Sequence, residues 1–283
     1  GIFSALFLLF FPRFLGHSFN NPKDIPITFI YVLVLYLFWA RFQSGRRSIS
    51  FLIALAGGIG FATRIQYIIL LVIILLFIII YKPARAKWAR FNKITRFWDV
   101  LAALGLSIPL GIVFWPYFWT GTIQKLIKLF NFYYFHRVQS QLQIIYQGEY
   151  FIPGVNLPWH YAPVMLALAT PLITLGFFFL GIAITPLIGS KWPDQRKRIS
   201  VQNCYLFFVC WIVIGLIPFI LPGQRVYGGI RHFLFIVPAF CAMAGMGLNW
   251  FFCFISRKAG RRTAVVLVGA LCGLLAVTVL TYH

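Results

Sequence analysis

Acidic residues are scarce in this chain, and one of them lies in a polar stretch between two apolar runs. The chain contains four acidic residues against 25 lysines and arginines. Asp24 ends the octapeptide of residues 17–24, which separates the apolar runs 2–14 and 25–39. We expect this octapeptide to be a short loop between two membrane segments. A carboxylate at its end is suited to capping the next helix, to taking a proton from a hydroxyl group, or to binding a metal ion.

Arginines beside glycines form a second feature that is suited to chemistry. Within residues 224–232, Arg225 and Arg231 flank Tyr227 and two glycines. A guanidinium group forms paired hydrogen bonds with a phosphate, and glycine lets the backbone approach a ligand closely. An anion such as a phosphate is therefore the expected partner, for these residues and for Arg64 between two apolar runs. The alternative is that these arginines reach lipid headgroups at the membrane surface.

A third polar group consists of Glu149 and the later sequence Trp159-His160-Tyr161. Glu149 and Asp24 are the two carboxylates that we consider as ligands of a divalent metal ion. His160 lies among aromatic residues that are typical of a membrane interface, so an interfacial side chain is favoured over a metal ligand.

The composition places these residues in a membrane protein. Hydrophobic residues make up 61% of the chain and charged residues only 10%, which is outside the range of soluble globular proteins. The net charge of +21 does not indicate nucleic-acid binding, because the basic residues lie in short loops between apolar runs. The five cysteines all lie within apolar runs and are interpreted as small buried hydrophobic residues.

Hydrophobic windows predict an all-α fold, a polytopic bundle of about nine transmembrane helices of which the first is partial. The whole chain, 1–283, is interpreted as one domain. The long segment from Trp119 to Trp159 has apolar residues at helical spacing around residues 123–130, which predicts a helix lying in the membrane interface. The predicted windows are 25–42, 49–63, 66–81, 98–118, 160–188, 203–222, 232–255 and 264–281.

The loops between these windows alternate in charge, which predicts their orientation. By the positive-inside rule, the basic loops at 41–47, 82–96, 191–198 and 257–262 face the cytoplasm. The three polar groups described above then share the opposite face, together with Arg64. Asp99 and Asp194 lie beside basic residues at the cytoplasmic edge, where we interpret them as local charge balance.

Five motifs in this order resemble those of polyprenyl-phosphate-dependent glycosyltransferases of the GT-C superfamily. This family 39-like group includes the dolichyl-phosphate-mannose protein mannosyltransferases and the aminoarabinose transferases. The resemblance covers most of the chain. The motifs are Pro-Arg-Phe at 12–14, Gly-His-Ser-Phe with Asn-Pro-Lys-Asp at 16–24, Ala-Thr-Arg at 62–64, Pro-Trp-His-Tyr at 158–161 and Gly-Ile-Arg-His-Phe at 229–233.

The resemblance implies a membrane enzyme that moves a sugar from a dolichyl or undecaprenyl phosphate to a protein, lipid or glycan acceptor on the extracytoplasmic face. We expect the plasma membrane of a prokaryote rather than the endoplasmic reticulum. Asp24 matches the family's second acidic position. The first acidic motif would precede Gly1, so we expect a fragment, truncated at both ends, that is inactive alone. Where family members often have an acidic residue, this chain has Gly228, which puts a polar role for that position in doubt.

The roles implied for single residues follow from these motifs. Asp24 is the expected catalytic residue, and a divalent metal ion, with Asp24 and Glu149 as its ligands, is the one cofactor considered. The expected partners are the lipid-linked sugar and membrane lipids. The residues expected to bind substrate are His17, Asn21, Lys23, Arg64, Trp159, His160, Tyr161, Arg225, Tyr227, Arg231 and His232.

Two other classes of function are alternatives: a secondary transporter and a non-catalytic membrane scaffold. Transporters carry ionisable residues at the middle of the membrane on broken helices. Here the polar residues collect at one face, which favours chemistry at an interface. The enzyme hypothesis also makes a spatial prediction, that Asp24, Arg64, Trp159 and Arg231 border one cavity.

Overall fold

The computed structural model describes residues 1–44, 46–80, 88–135, 143–190, 195–223 and 226–281, and most of these are helical. The predicted all-α fold is therefore confirmed. The α-helices are α1 (Ile2–Leu9), α2 (Pro12–Asn20), α3 (Asp24–Ser44), α4 (Ser48–Thr63), α5 (Tyr67–Ile80), α6 (Trp88–Phe114), α7 (Thr122–Phe135), α8 (Tyr161–Leu168), α9 (Leu172–Ser190), α10 (Gln195–Ile220), α11 (Val237–Ala259) and α12 (Arg261–Thr281). Two short 3₁₀ helices, Pro116–Phe118 and Arg231–Ile236, and two strands, β1 (Ile144–Tyr146) and β2 (Glu149–Phe151), complete the described elements.

The apolar helices identify an integral membrane protein. Among the described residues, five helices are long and apolar enough to cross a membrane, or up to seven if each of two bent helix pairs is one span. The helices α4 and α5 are apolar but shorter. Each predicted window coincides with one of these helices or with a bent pair, and the number of true spans is set by how the shorter elements lie in the bilayer.

Two of the predicted boundaries are wrong, and prolines explain both. The predicted loop at 17–24 is helical as far as Asn20, because Pro12 starts a new helix at a bend of 68° from α1 and proline is favoured at the first turn of a helix. The predicted span 160–188 is broken before Pro171, where α8 and α9 meet at 118°. Proline disfavours helical backbone at the residue before it.

A small β-hairpin in the long loop was not predicted from the sequence. Strands β1 and β2 are antiparallel, with Tyr146 opposite Glu149. The two residues between the strands, Gln147 and Gly148, both have positive φ, as in the tight turns that suit the twist of a hairpin. The helix predicted around 123–130, which precedes the hairpin in this loop, is present as α7.

The chain divides into two compact units, which are described separately. The first unit comprises residues 1–22, 163–213 and 236–283, and the second comprises 23–162 and 214–235. In the first unit, α9 and α11 pack closely, and the rings of Phe178 and Phe240 stack with centroids 3.6 Å apart. That the whole chain forms one domain stays a prediction.

The second unit is built on the close packing of α4 against α6. A Cβ atom at Gly58 would lie 2.7 Å from Cβ of Leu110, and a Cβ atom at Gly111 would lie 2.6 Å from the ring of Phe61. Small residues let helix backbones approach in this way, which increases van der Waals contact in a membrane protein. The helix α3 packs on α4, and its first residue is Asp24.

Candidate active site

Asp24 is a buried carboxylate at the first turn of α3. Its side chain is only 2% exposed, and its backbone carbonyl accepts a hydrogen bond from the hydroxyl of Thr28 at 2.7 Å. The helix dipole favours a negative charge at this end of a helix. The dipole alone does not balance a buried charge, so Asp24 needs cationic partners.

The first partner is Arg64, which lies where α4 ends. The helix stops at Thr63, and Arg64 has extended backbone with φ of −156°. Its Nη2 atom lies 2.5 Å from Oδ1 of Asp24, and the side chain is 17% exposed. Residues 64–66 then form the turn that leads into α5.

The second partner is Arg231, which follows a turn of two glycines. Gly228 and Gly229 have φ of +71° and +67°, values that glycine adopts far more readily than other residues. Nε of Arg231 donates a hydrogen bond to Oδ2 of Asp24 at 3.0 Å, and the side chain is 38% exposed. Its guanidinium carbon also lies 5.8 Å from the centre of the Tyr227 ring.

One carboxylate between two guanidinium groups leaves a net charge of about +1 in the cluster. The carboxylate is buried, whereas the side chain of Arg64 is 17% exposed and that of Arg231 is 38% exposed. Each guanidinium has five N–H donors, so donors remain after the contact with Asp24. The arrangement suits an anion, and it suits a metal cation poorly because both carboxylate oxygens face guanidinium groups.

His232 extends this cluster and has a buried ring nitrogen. Its ring packs edge-on against Tyr227 with centroids 4.5 Å apart, and its backbone carbonyl accepts a hydrogen bond from Nε2 of Gln66 at 3.5 Å. The ring lies within electrostatic range of Arg64, Asp24 and Arg231. Among the described residues, no hydrogen-bond partner faces its Nε2 atom. Buried polar groups are normally paired, so this atom is a candidate contact for a ligand.

Residues 1–115 match the model of the family described as dolichyl-phosphate-mannose-protein mannosyltransferase. This part of the chain, less than half of its 283 residues, is therefore similar to membrane glycosyltransferases of the GT-C type. The match supports the resemblance over the motifs at 12–14, 16–24 and 62–64, which include Asp24 and Arg64, and it ends before the motifs at 158–161 and 229–233. No curated protein and no solved structure matches the chain.

The aromatic motif at 158–161 contacts the glycine turn through Tyr161. The Tyr161 hydroxyl lies within hydrogen-bonding range of the backbone of Gly229, and its ring packs against Tyr146 of β1 with centroids 5.1 Å apart. His160 contacts the same Tyr146 ring at 5.7 Å. Trp159 is exposed, and its ring partner is His160. Of the four residues predicted to share a cavity, Asp24, Arg64 and Arg231 are in contact, whereas no hydrogen bond, ion pair or ring contact joins Trp159 to them in the described structure.

The other residues predicted to bind substrate have different surroundings. His17 and Asn21 lie at the end of α2 in the first unit, where Nδ1 of His17 and Nδ2 of Asn21 are 3.4 Å apart. Lys23 is exposed one residue before Asp24. Arg225 lies outside the described residues. Glu149 is exposed on β2, and within the described ranges no three His, Cys, Asp or Glu side chains form a group suited to a metal ion.

Two residues that form hydrogen bonds beside the cluster were missed by the sequence analysis. Gln66 bonds to His232 through its side chain, and its carbonyl accepts a hydrogen bond from the hydroxyl of Tyr31 at 2.5 Å. The available signal was spacing, because Tyr31 lies seven residues after Asp24 and therefore on the same face of α3. A tyrosine in an apolar window is normally interpreted as part of the aromatic lining, which hid the role of its hydroxyl.

Proposed function

We propose that this protein is a membrane glycosyltransferase that takes its sugar from a polyprenyl phosphate and that the cluster of Asp24, Arg64, Arg231 and His232 binds the phosphate. The observation that carries the proposal is the convergence of two guanidinium groups, from segments far apart in the chain, on one buried carboxylate. The acceptor is a hydroxyl group of a protein, lipid or glycan. Arginine is the side chain best suited to phosphate, because its planar donors match the phosphate oxygens in pairs.

The charge of the cluster matches the chemistry of the transfer. The acceptor oxygen forms a bond to the anomeric carbon while the bond from that carbon to the phosphate oxygen breaks. The electron pair of the broken bond stays on the phosphate, which changes from a monoanion to a species with a second developing charge, and the hydroxyl proton passes to a base. Donors already in place around the phosphate stabilise this charge, since they need no reorganisation during the reaction.

His232 supplies the third contact in this proposal. A neutral imidazole with its proton on Nε2 donates one hydrogen bond to a phosphate oxygen and adds no charge. Its position beside Arg64 and Arg231 and its contact with Tyr227 hold the ring for this purpose. Binding the phosphate would also provide the partner that Nε2 lacks in the described structure.

Asp24 has two alternative roles at this site. The sequence analysis predicts a base that receives the acceptor proton, and this stays a prediction. Its burial and its two ion pairs favour a different role, in which Asp24 positions the two arginines for the phosphate. The two roles differ in kinetics, because loss of a base lowers kcat, whereas loss of positioning raises the KM for the donor.

The direction of α3 supports an extracytoplasmic site. This helix begins at Asp24 and ends beside the basic residues Arg41, Arg46 and Arg47, which the positive-inside rule assigns to the cytoplasm. The cluster also lies at helix ends rather than in the middle of spans, which favours an enzyme over a transporter. We propose the plasma membrane of a prokaryote as the location.

The experiment is a transfer assay of the complete gene product in proteoliposomes, with a labelled polyprenyl-phosphate sugar as the donor. Arg64→Lys and Arg231→Lys keep the charge but lose paired hydrogen bonds of about 1–3 kcal/mol, so the KM for the donor should rise about 5- to 150-fold. The matched control is Arg47→Lys, a change at an exposed arginine. An unchanged donor KM in both cluster variants would contradict the proposal, and uptake of solute without sugar transfer would favour a transporter.

A further inference from the structure

Tyr31 is a fully buried tyrosine whose hydroxyl connects α3 to the turn that carries Arg64. Its side chain has no exposed surface, and its hydroxyl donates a hydrogen bond to the backbone carbonyl of Gln66 at 2.5 Å. The same carbonyl accepts the N–H of Ile69 at 3.0 Å, so it is held at the start of α5. The hydrogen bond therefore holds the Arg64 turn against the helix that begins with Asp24.

The ring of Tyr31 also contacts the segment that carries Arg231. It packs against Phe235 with centroids 4.4 Å apart, and Phe235 belongs to the 3₁₀ helix that starts at Arg231. The side chain of Gln66 joins the same 3₁₀ helix through its bond to the carbonyl of His232. Tyr31 therefore lies on α3, forms a hydrogen bond with the Arg64 turn and packs against the segment that carries Arg231.

A hydroxyl group in this apolar environment needs an explanation. A phenylalanine would fill the same space, and burying a hydroxyl is unfavourable unless it forms a hydrogen bond. The bond to Gln66 satisfies the hydroxyl. What it adds, compared with phenylalanine, is a directed contact between α3 and the Arg64 turn.

We propose that Tyr31 is a positioning residue: its hydroxyl and ring hold Arg64 and Arg231 at Asp24 and so set the affinity of the cluster for the donor phosphate. Tyr31 is buried beneath the cluster and has no part in the chemistry itself. The inference rests on the proposed function for its effect on the donor. The geometric part, that Tyr31 orders the two arginines, can be measured without the donor.

The test compares two buried tyrosines that differ in what their hydroxyl groups hold. Tyr67 is also fully buried, and its hydroxyl donates to Oγ of Ser107 on α6 at 3.2 Å. Tyr31→Phe and Tyr67→Phe each remove one buried hydrogen bond, so both should lower Tm by a similar amount. Only Tyr31→Phe should raise the KM for the labelled polyprenyl-phosphate sugar, by about tenfold, with kcat little changed.

A second readout does not depend on the donor. Phenylglyoxal modifies exposed guanidinium groups, and mass spectrometry of the peptides containing Arg64 and Arg231 measures the rate at each. Tyr31→Phe should accelerate modification of Arg64 severalfold, whereas Tyr67→Phe should leave the rate unchanged. Phe235→Leu, which removes the ring packed against Tyr31, should change the donor KM in the same direction as Tyr31→Phe and tests the ring contact of Tyr31 if Tyr31→Phe folds poorly.

The outcomes separate the two proposals. If Arg64→Lys and Arg231→Lys weaken donor binding but Tyr31→Phe behaves like Tyr67→Phe in both readouts, the proposed function stands and the role of Tyr31 is wrong. If Tyr31→Phe exposes Arg64 to phenylglyoxal but the arginine variants bind the donor normally, Tyr31 positions the arginines and the proposed phosphate site is wrong. Equal modification rates in both tyrosine variants overturn the inference.

Discussion

A cluster of one carboxylate and two arginines lies at each end of α3. The carboxylate is buried in the first cluster, whereas an arginine is buried in the second. At the start, Asp24 is 2% exposed and its partners Arg64 and Arg231 are more exposed. Near the end, Arg41 is 3% exposed, whereas Asp99 is 30% exposed. The two positions on α3 are separated by about 25 Å along the helix.

The second cluster resembles a structural ion pair. Nη2 of Arg41 lies 2.5 Å from Oδ2 of Asp99, and its Nε donates a hydrogen bond to Oγ of Ser50 at 3.1 Å. Arg47 lies 3.8 Å from the same carboxylate oxygen and is 83% exposed. The buried cation is paired, and the third charge is in solvent, where it contributes little. The expectation of local charge balance at Asp99 agrees with this geometry.

The comparison shows why composition alone does not identify a site. When the carboxylate is buried, the excess positive charge lies on the accessible side and can attract an anion. When the arginine is buried, the accessible member is the carboxylate, and the pair holds helices together. The same three charges therefore suit ligand binding at one end of α3 and stability at the other.

Replacing each carboxylate with its amide tests whether the two clusters have different roles. The largest effect is expected at Asp24. Asp24→Asn removes the charge that holds two guanidinium groups, and we expect transfer by the folded protein to fall about 100-fold or more, as when a preorganised electrostatic site is lost. The measurement is donor and acceptor kinetics in proteoliposomes. A rise in the KM for the donor would indicate that Asp24 positions the arginines, and a fall in kcat alone would indicate that it acts as a base. Wild-type kinetics would show that Asp24 only caps the helix.

At the other end, Asp99→Asn should mainly affect stability. The change leaves Arg41 buried without a counter-ion, which typically costs about 3–5 kcal/mol in the free energy of unfolding. Transfer per folded molecule should stay close to the wild-type rate, because no contact joins Asp99 to the first cluster in the described residues. Thermal unfolding in detergent checks the first part, with Arg47→Ala as a control that should change stability by less than about 0.5 kcal/mol. Loss of turnover as large as that in Asp24→Asn would contradict the distinction between the two clusters.

The smallest effect is expected from a change in helix packing at Gly57, which lies on α4 away from both charge clusters in the sequence. A Cβ atom at Gly57 of α4 would overlap the hydroxyl of Tyr67 and lie 2.8 Å from Cβ of Ser107. Gly57→Ala should therefore lower the free energy of unfolding by about 1–3 kcal/mol, as overpacking does. Gly105→Ala on α6 is the matched control, since nothing lies within 4 Å of its Cβ position and alanine favours a helix. Similar Tm values for the two variants would show that the contact of α4 with Tyr67 relaxes without strain.

The candidate site was only partly predictable, and particular residues show why. Asp24 and Arg64 stand out because a charge between two apolar runs is unusual, and both lie within the residues that match the family model. Arg231 follows a glycine turn that also has a local signature. Tyr31 and Gln66 have no such signature, since their roles depend on one hydrogen bond between segments 35 residues apart. The hairpin around Gln147 and Gly148 was missed because its strands are three residues long, which is too short for a clear alternation pattern.

The membrane class, the positions of most helices, the family resemblance and the place of Asp24 at the start of a helix can all be predicted from the sequence. These properties follow from hydrophobicity, proline placement and short motifs, which act over one or two helical turns. Tertiary structure alone decided that Arg231 reaches Asp24 across 207 residues of chain, that Asp99 pairs with Arg41, and which member of each cluster is buried. The physical reason is that burial and pairing depend on which helix backbones pack closely, and no local pattern of residues encodes that choice.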